Sequence, residues 1–242
     1  MKRIIYSLSV LASIFLFSCT DIDNYGAPSS RMSGNVIDKT TGANLLTSQN
    51  DFTIRLWETS WSANPLPQDI PVKQDGTYNN TKLFDATYSI GPYGGPFWPI
   101  DTLGGMQLKG SLTQDFVVTP YLHITDVTHT MVGDTLKLSC KLQAPVTIGL
   151  PQVLDIRPFV SLNQLCGNST KINDYSLDKY SVPINSTWSN IGDMYTGVSS
   201  KTYVLPPIPL KPGCTFYVRI GARVSDTYQK YNYSEIFSVV AP

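Results

Sequence analysis

The 242-residue sequence predicts an all-β protein made of two β-sandwich domains in tandem. Composition is the first reason. There are 17 Gly and 17 Pro, charged residues make up only 15%, and Glu58 and Glu235 are the two glutamates, so strong helix formers are scarce while Thr, Val, Ile and Tyr are common. The second reason lies between Ser33 and Ile90. This stretch breaks into short segments that alternate apolar and polar residues, the pattern of half-buried strands. Thr41-Gly42 and Asp75-Gly76 separate them as turns in which glycine accepts a positive φ. The third reason is that the alternation returns beyond Pro120, in Leu136-Lys137-Leu138-Ser139-Cys140-Lys141-Leu142 and in residues 216–224, which sets off a second unit.

The N-terminus gives the address. Lys2 and Arg3 precede an apolar run, residues 4–17, too short to span a bilayer comfortably, so residues 1–18 read as a secretory signal peptide. Leu16-Phe17-Ser18-Cys19 resembles a bacterial lipobox, which implies lipidation of Cys19 and contact with the membrane through the lipid anchor only. Thr20-Asp21-Ile22-Asp23 resembles the surface-export signal of Bacteroidetes lipoproteins. It implies an outer membrane lipoprotein at the cell surface, with the periplasmic face as the alternative. Residues 19–31 read as the lipidated cysteine and a flexible tether. Formal net charge is zero and no basic cluster stands out, which argues against nucleic acid as a partner.

Residues 32–120 form the first expected domain. Gly34, Val36, Asp38, Thr41 and Gly42, then Ile54, Leu56 and Glu58, then Asp75, Gly76 and Tyr78, then Tyr88 and Ile90 follow one another in an order that resembles the carboxypeptidase regulatory-like domain. That resemblance implies a transthyretin-like sandwich of two antiparallel sheets. The pattern is interrupted by Gly91-Pro92-Tyr93-Gly94-Gly95-Pro96-Phe97-Trp98-Pro99-Ile100-Asp101, whose three Pro and three Gly are expected to keep it out of any sheet ladder. Tyr93, Phe97 and Trp98 are stiff rings on a proline-held backbone, and Trp57 and Trp61 precede them. Aromatic faces bind the apolar faces of sugar rings, and a pre-ordered loop loses little entropy on binding. The candidate carbohydrate-binding residues are therefore Trp57, Trp61, Tyr93, Phe97, Trp98 and Asp101, the last as a hydrogen-bonding group. The alternative is that the rings plug the end of the sandwich or the domain interface. A last strand is expected at residues 114–119.

Residues 121–242 form the second expected domain. His123-Ile124-Thr125-Asp126-Val127 reads as its first strand and residues 136–142 as the next. Leu210-Lys211-Pro212-Gly213, followed by Phe216-Tyr217-Val218-Arg219-Ile220, resembles the fibronectin type III pattern and implies an Ig-like sandwich, closed by Tyr233-Ser234-Glu235-Ile236-Phe237-Ser238-Val239. Period two sends Phe216, Val218, Ile220, Ala222 and Val224 to the core and Tyr217, Arg219 and Arg223 to the other face. Residues 143–201 read as long loops. Cys140 sits at an apolar strand position and is expected as a buried thiol. A Cys166–Cys214 bridge and a pair of free thiols both remain open.

The chemistry of catalysis is missing from this pattern. No carboxylate pair can be placed across a cleft, and the two histidines, His123 and His129, fall on one face of one strand with no third ligand in view. Catalytic residues, metal and cofactors are all expected to be absent, and the protein is expected not to be an enzyme. From lipobox to second domain, the chain resembles a group of two-domain Bacteroidetes lipoproteins encoded among SusC/SusD-type glycan-uptake systems. The resemblance implies an accessory protein that binds polysaccharide or oligosaccharide beside a SusC/SusD-type outer-membrane complex. The alternative is a structural or adhesive envelope lipoprotein with a protein partner.

Overall fold

The computed structural model describes residues 26–242; the expected signal peptide, Cys19 and the first part of the tether lie outside the described residues. Eight strands build the first sandwich: β1 (Ser30–Asp38), β2 (Thr53–Glu58), β3 (Pro67–Pro71), β4 (Thr77–Leu83), β5 (Ala86–Tyr93), β6 (Leu103–Leu108), β7 (Ser111–Thr113) and β8 (Phe116–Val118). One sheet has the order β4-β1-β7 with β8 also paired to β1, and the other has the order β3-β2-β5-β6. The alternation works as expected: Val36, Ile54, Leu56, Tyr78, Tyr88 and Ile90 are buried in one core between the sheets. β1 begins at Ser30, whose hydroxyl is bonded to Asp85, so the last residues of the expected tether belong to the sheet.

The interrupting segment departs from expectation. β5 runs through Gly91, Pro92 and Tyr93, which pair with Arg55, Ile54 and Thr53 of β2. Proline is tolerated there because β6 pairs with β5 only as far as Ile90, so Pro92 has a strand neighbour on one side alone. Only the remainder of the segment leaves the sheet.

The second sandwich contains β9 (His123–Val132), β10 (Thr135–Gln143), β11 (Val153–Ser161), β12 (Val182–Ser186), β13 (Tyr203–Pro209), β14 (Thr215–Val224), β15 (Tyr231–Tyr233) and β16 (Phe237–Val240). A sheet of order β13-β10-β9 faces a sheet of order β12-β11-β14-β15 in which β16 also pairs with β14. The expected loop region holds two of these strands. β11 escapes an alternating pattern because both its faces are covered, and its Pro158 lies beyond Ile156, where pairing with β12 ends. The two histidines do not share a face. A register shift between Ser139 and Lys141, with Asp126 opposite at φ 49°, reverses the alternation of β9 between them. His123 pairs with Asp38 across the domain junction at 2.7 Å, and His129 stacks on Phe237.

Arg219 faces away from the core of its own sandwich, as alternation requires, yet it is fully buried. The first sandwich covers it. Its Nη1 donates to Thr47 O at 2.8 Å and to Cys166 O at 3.2 Å, its Nε donates to Ser234 O at 3.2 Å, and the guanidinium lies 4.1 Å from the Tyr233 ring centre. Around it Phe159, Cys166, Tyr231 and Tyr233 form a third apolar cluster, against which Leu46 of the first sandwich packs. Burial pulls the guanidinium down to about 10, which leaves it charged at neutral pH. Nearby, the Tyr233 hydroxyl donates to Asp51 Oδ2 at 3.0 Å, and Ser48 and Ser169 share a 2.6 Å bond. The interruption after Tyr93 serves the same junction: Pro96 O accepts from Asn232 Nδ2 at 2.9 Å, while Asn232 Oδ1 accepts from Leu122 N at 3.1 Å.

Among the described residues, Cys140, Cys166 and Cys214 are free. Cys166 belongs to the interface cluster, where its Sγ donates to Phe159 O, and Cys214 lies at the edge of the second core. Burial pushes the Cys140 and Cys166 thiols up to about 12. Alkylation of the protein spanning residues 26–242 at pH 8 will therefore label Cys214 alone, with Cys140 and Cys166 reacting only after denaturation; labelling of Cys166 in the native protein would contradict its buried placement.

Replacing Arg219 with Met leaves three buried carbonyls short of a donor and should lower unfolding free energy by about 3 kcal/mol in urea titrations. A change near zero would show that the guanidinium is not needed at the junction. Burial also raises the Asp51 carboxyl above its ordinary 3.8, against smaller opposing contributions from Lys230 and Tyr233. A raised folded value means that this group's stabilising contribution is complete below the unfolded value and is lost as pH rises through the folded one. Asp51→Asn should therefore gain in melting temperature relative to the parent as pH goes from 4 to 7; an unchanged difference across that range would refute the assignment.

Candidate functional site

The strands that send Ile54 and Leu56 into the core send Thr53, Arg55 and Trp57 to the opposite, outer face of the sheet β3-β2-β5-β6. Register then fixes their neighbours. Thr53 lies opposite Tyr93, Arg55 opposite Gly91 and Asp69, and Trp57 opposite Ser89 and Pro67. Trp57 and Tyr93 thus occupy one face, with their strand positions four residues apart, about 13 Å at the rise of a strand. Between them Arg55 forms a two-pronged ion pair with Asp69, Nε to Oδ1 at 2.8 Å and Nη2 to Oδ2 at 2.9 Å, and its guanidinium sits 3.7 Å above the Tyr93 ring centre. The Tyr228 ring, from the β14–β15 connection of the second sandwich, meets the Tyr93 ring edge-on at 5.5 Å. The Tyr228 hydroxyl and then the Arg55 guanidinium draw the Tyr93 phenol below its ordinary range, and the same bond holds Tyr228 above it.

The floor beside these rings is made of small residues. A Cβ on Gly91 would meet Thr102 Cγ2 at 3.0 Å, and Gly104 lies next to the Ser89 hydroxyl. At the far end of the face, past Thr87, a pocket of about 520 Å³ is lined by Ser60, Trp61, Asp85, Thr87, Gln107 and Lys109. Trp61 is 63% exposed. Ser60 Oγ donates to Glu58 Oε1 at 2.9 Å and accepts from Thr87 N at 3.2 Å. The Ser30 hydroxyl and the Gly110 N–H hold the Asp85 carboxyl below the usual range, and the Arg55 hydrogen bond does the same for Asp69. Carboxylates held ionised in this way accept hydrogen bonds well and make poor general acids.

The six sequence-predicted residues divide. Trp57, Trp61 and Tyr93 come together on the outer face. Phe97 does not: its ring is 4% exposed, edge-on to Phe52 inside the first core, and offers no face to a ligand. Trp98 is half-buried against Tyr121 and the second core, so this ring plugs the junction. Asp101 is exposed, on the connection leading to β6, outside the strands that carry Trp57 and Tyr93. Arg55, Asp69, Gln107 and Tyr228 were not foreseen. Arg55 and Asp69 follow from period two once the β2–β3 register is known. Tyr228 comes from the other domain, and nothing in the local sequence points to it.

Residues 30–119 match the family described as protein of unknown function (DUF3823) N-terminal domain, and residues 122–238 match the domain of unknown function DUF3823_C. No curated protein matches the chain. Among solved structures, a DUF3823 family protein from Bacteroides uniformis superposes with a TM-score of 0.73 at 23% identity, covering 89% of this chain and 100% of its own. A second Bacteroides uniformis structure, described as a candidate carbohydrate binding protein, has a TM-score of 0.71 at 20% identity and covers 88% and 99%. A DUF3823 family protein from Parabacteroides merdae follows with 0.64, 19%, 88% and 100%. With both halves matched in order, this chain belongs to the two-domain DUF3823 family.

Proposed function

We propose that the protein is a non-catalytic, lipid-anchored envelope protein that binds polysaccharide or oligosaccharide as an accessory of a glycan-utilisation system. One observation carries the reading: Trp61, Trp57 and Tyr93 share the outer sheet face with hydroxyl, amide and carboxylate groups between and beside them. Sugar rings present apolar C–H faces and equatorial hydroxyls together, and a surface that mixes aromatic faces with such polar groups matches both. The description of one structural neighbour as a candidate carbohydrate binding protein supports the same reading. Cys19 would carry the lipid anchor, placing the protein at the outer membrane and, by the acidic residues after Cys19, on the cell surface beside a SusC/SusD-type complex.

A protein partner is the second reading, and one feature favours it. Ile148 (82% exposed), Met194 and Tyr195 (99% exposed) sit on two loops joined by the Thr147 hydroxyl to Met194 O. Exposed apolar groups held on tied loops are the usual anchors of a protein interface.

The test is native electrophoresis of residues 26–242 through gels cast with a panel of polysaccharides. At least one should retard the protein, and Trp61→Ala and Trp57→Ala should each weaken binding by about tenfold, the loss of one stacking contact. Tyr195→Ala should leave retardation unchanged. Retardation by none of the panel would move the assignment to the protein-partner reading, and retardation lost in the Tyr195 variant alone would move the glycan site to the Ile148–Tyr195 loops.

A further inference from the structure

We infer that the outer face binds the interior of an extended, uncharged glycan chain, not a chain end, a single sugar or an acidic polymer. This deepens the glycan reading and rests on it. Length is the first ground. From Thr53 beside Tyr93 to Thr59 beside Thr87, the face runs six residues of strand, about 20 Å, before it opens into the Trp61 pocket. Rings stand at both ends and in the middle, so a ligand that used all of them would have to be a chain.

Shape is the second ground. Ser89 and Gly104 add little bulk beside Trp57, while Thr102 caps Gly91 and the Arg55–Asp69 pair fills the surface between Trp57 and Tyr93. The rings thus stand on an open sheet face, along which a chain can lie. A terminal sugar is gripped by a pocket that surrounds it, whereas Trp61 at the far end of the face is 63% exposed.

Charge is the third ground, and it selects among chains. Arg55 spends both prongs on Asp69 and lies flat on Tyr93. Lys109 lies beside Asp85 in the far pocket. Each of these cations thus has a carboxylate next to it. A uronate or sulfate would have to displace Asp69 or Asp85 and would meet repulsion from them. The remaining polar groups, Ser60, Thr87, Ser89 and Gln107, are neutral donors and acceptors suited to hydroxyls. Tyr228 completes the near end from the second domain, which makes chain length and domain docking interdependent.

The experiment compares neutral probes (a β-glucan, a galactomannan and an arabinoxylan) with polygalacturonate and chondroitin sulfate in affinity gels. Calorimetry then follows with size-graded fragments of the probe that retards the protein, before and after borohydride reduction of their reducing ends. The expected result is retardation by a neutral probe, affinity rising by about tenfold from the disaccharide to the longest fragments, and no effect of reduction. Tyr228→Ala should lower affinity for the longest fragments and leave that for the shortest unchanged. Trp57→Phe, which keeps a ring, should retain more affinity than Trp57→Ala, with thermal melts confirming that each variant is folded. Retardation by acidic probes alone, full affinity for a monosaccharide, or loss of binding on reduction would each overturn this inference while leaving the glycan reading standing. Retardation by no probe at all would overturn the glycan reading, and this inference with it.

Discussion

A guanidinium sealed between two sandwiches constrains everything else in this molecule. Arg219 is cationic and fully buried, a state that is costly unless its donors are used. Carbonyls from both domains take up its Nη1 and Nε, Thr47 from the first and Cys166 and Ser234 from the second, while Nη2 is buried without a hydrogen-bond partner. A cation bonded in this way cannot keep its partners if the domains swing apart. The junction is therefore held in one arrangement, supported by the Asp38–His123 pair, the Asn232 clamp on Pro96 and the Tyr233–Asp51 bond. Few of these groups sit in the core of either sandwich; they form a core of their own.

That fixed arrangement determines the surface. The β14–β15 connection is carried to the edge of the first sandwich, where Tyr228 leans on Tyr93 and on Gly94. Tyr93 in turn supports Arg55, and Arg55 orients Asp69. The near end of the aromatic face is thus assembled from two domains, while Trp57 and the Trp61 pocket are supplied by the first alone. Pre-positioned rings lose little conformational freedom when a ligand settles on them, which is the physical advantage of seating Trp57 and Tyr93 on strands.

Much of this could be read from the sequence, and the rest was hidden for identifiable reasons. Period two placed Ile54, Leu56, Tyr88 and Ile90 in the first core and Phe216, Val218 and Ile220 in the second, because one face of each strand meets water or a neighbour and the other does not. The same rule turned Arg219 outward, but alternation says nothing about what covers an outward face. β11 went unseen because both its faces are buried and a proline interrupts it. Tyr93 was placed on a loop because Gly91-Pro92 reads as a breaker, yet proline needs only one unpaired side to sit in a ladder. Aromatic content pointed to Trp57, Trp61 and Tyr93 as well as to Phe97 and Trp98, since ring chemistry is the same whether a ring faces solvent or plugs a junction. Asp126 and its register shift separated two histidines that unbroken alternation puts together.

The most direct measurement of the central claim is a crystal structure of residues 26–242 with a bound oligosaccharide cut from a polysaccharide that retards the protein. Sugar rings should lie along β2 and β5, stacked on Trp57 and Trp61, with the chain running on toward Tyr93 and Tyr228. A ligand seated instead on the Ile148–Tyr195 loops, or on any face that leaves Trp57 and Trp61 uncovered, would contradict the claim.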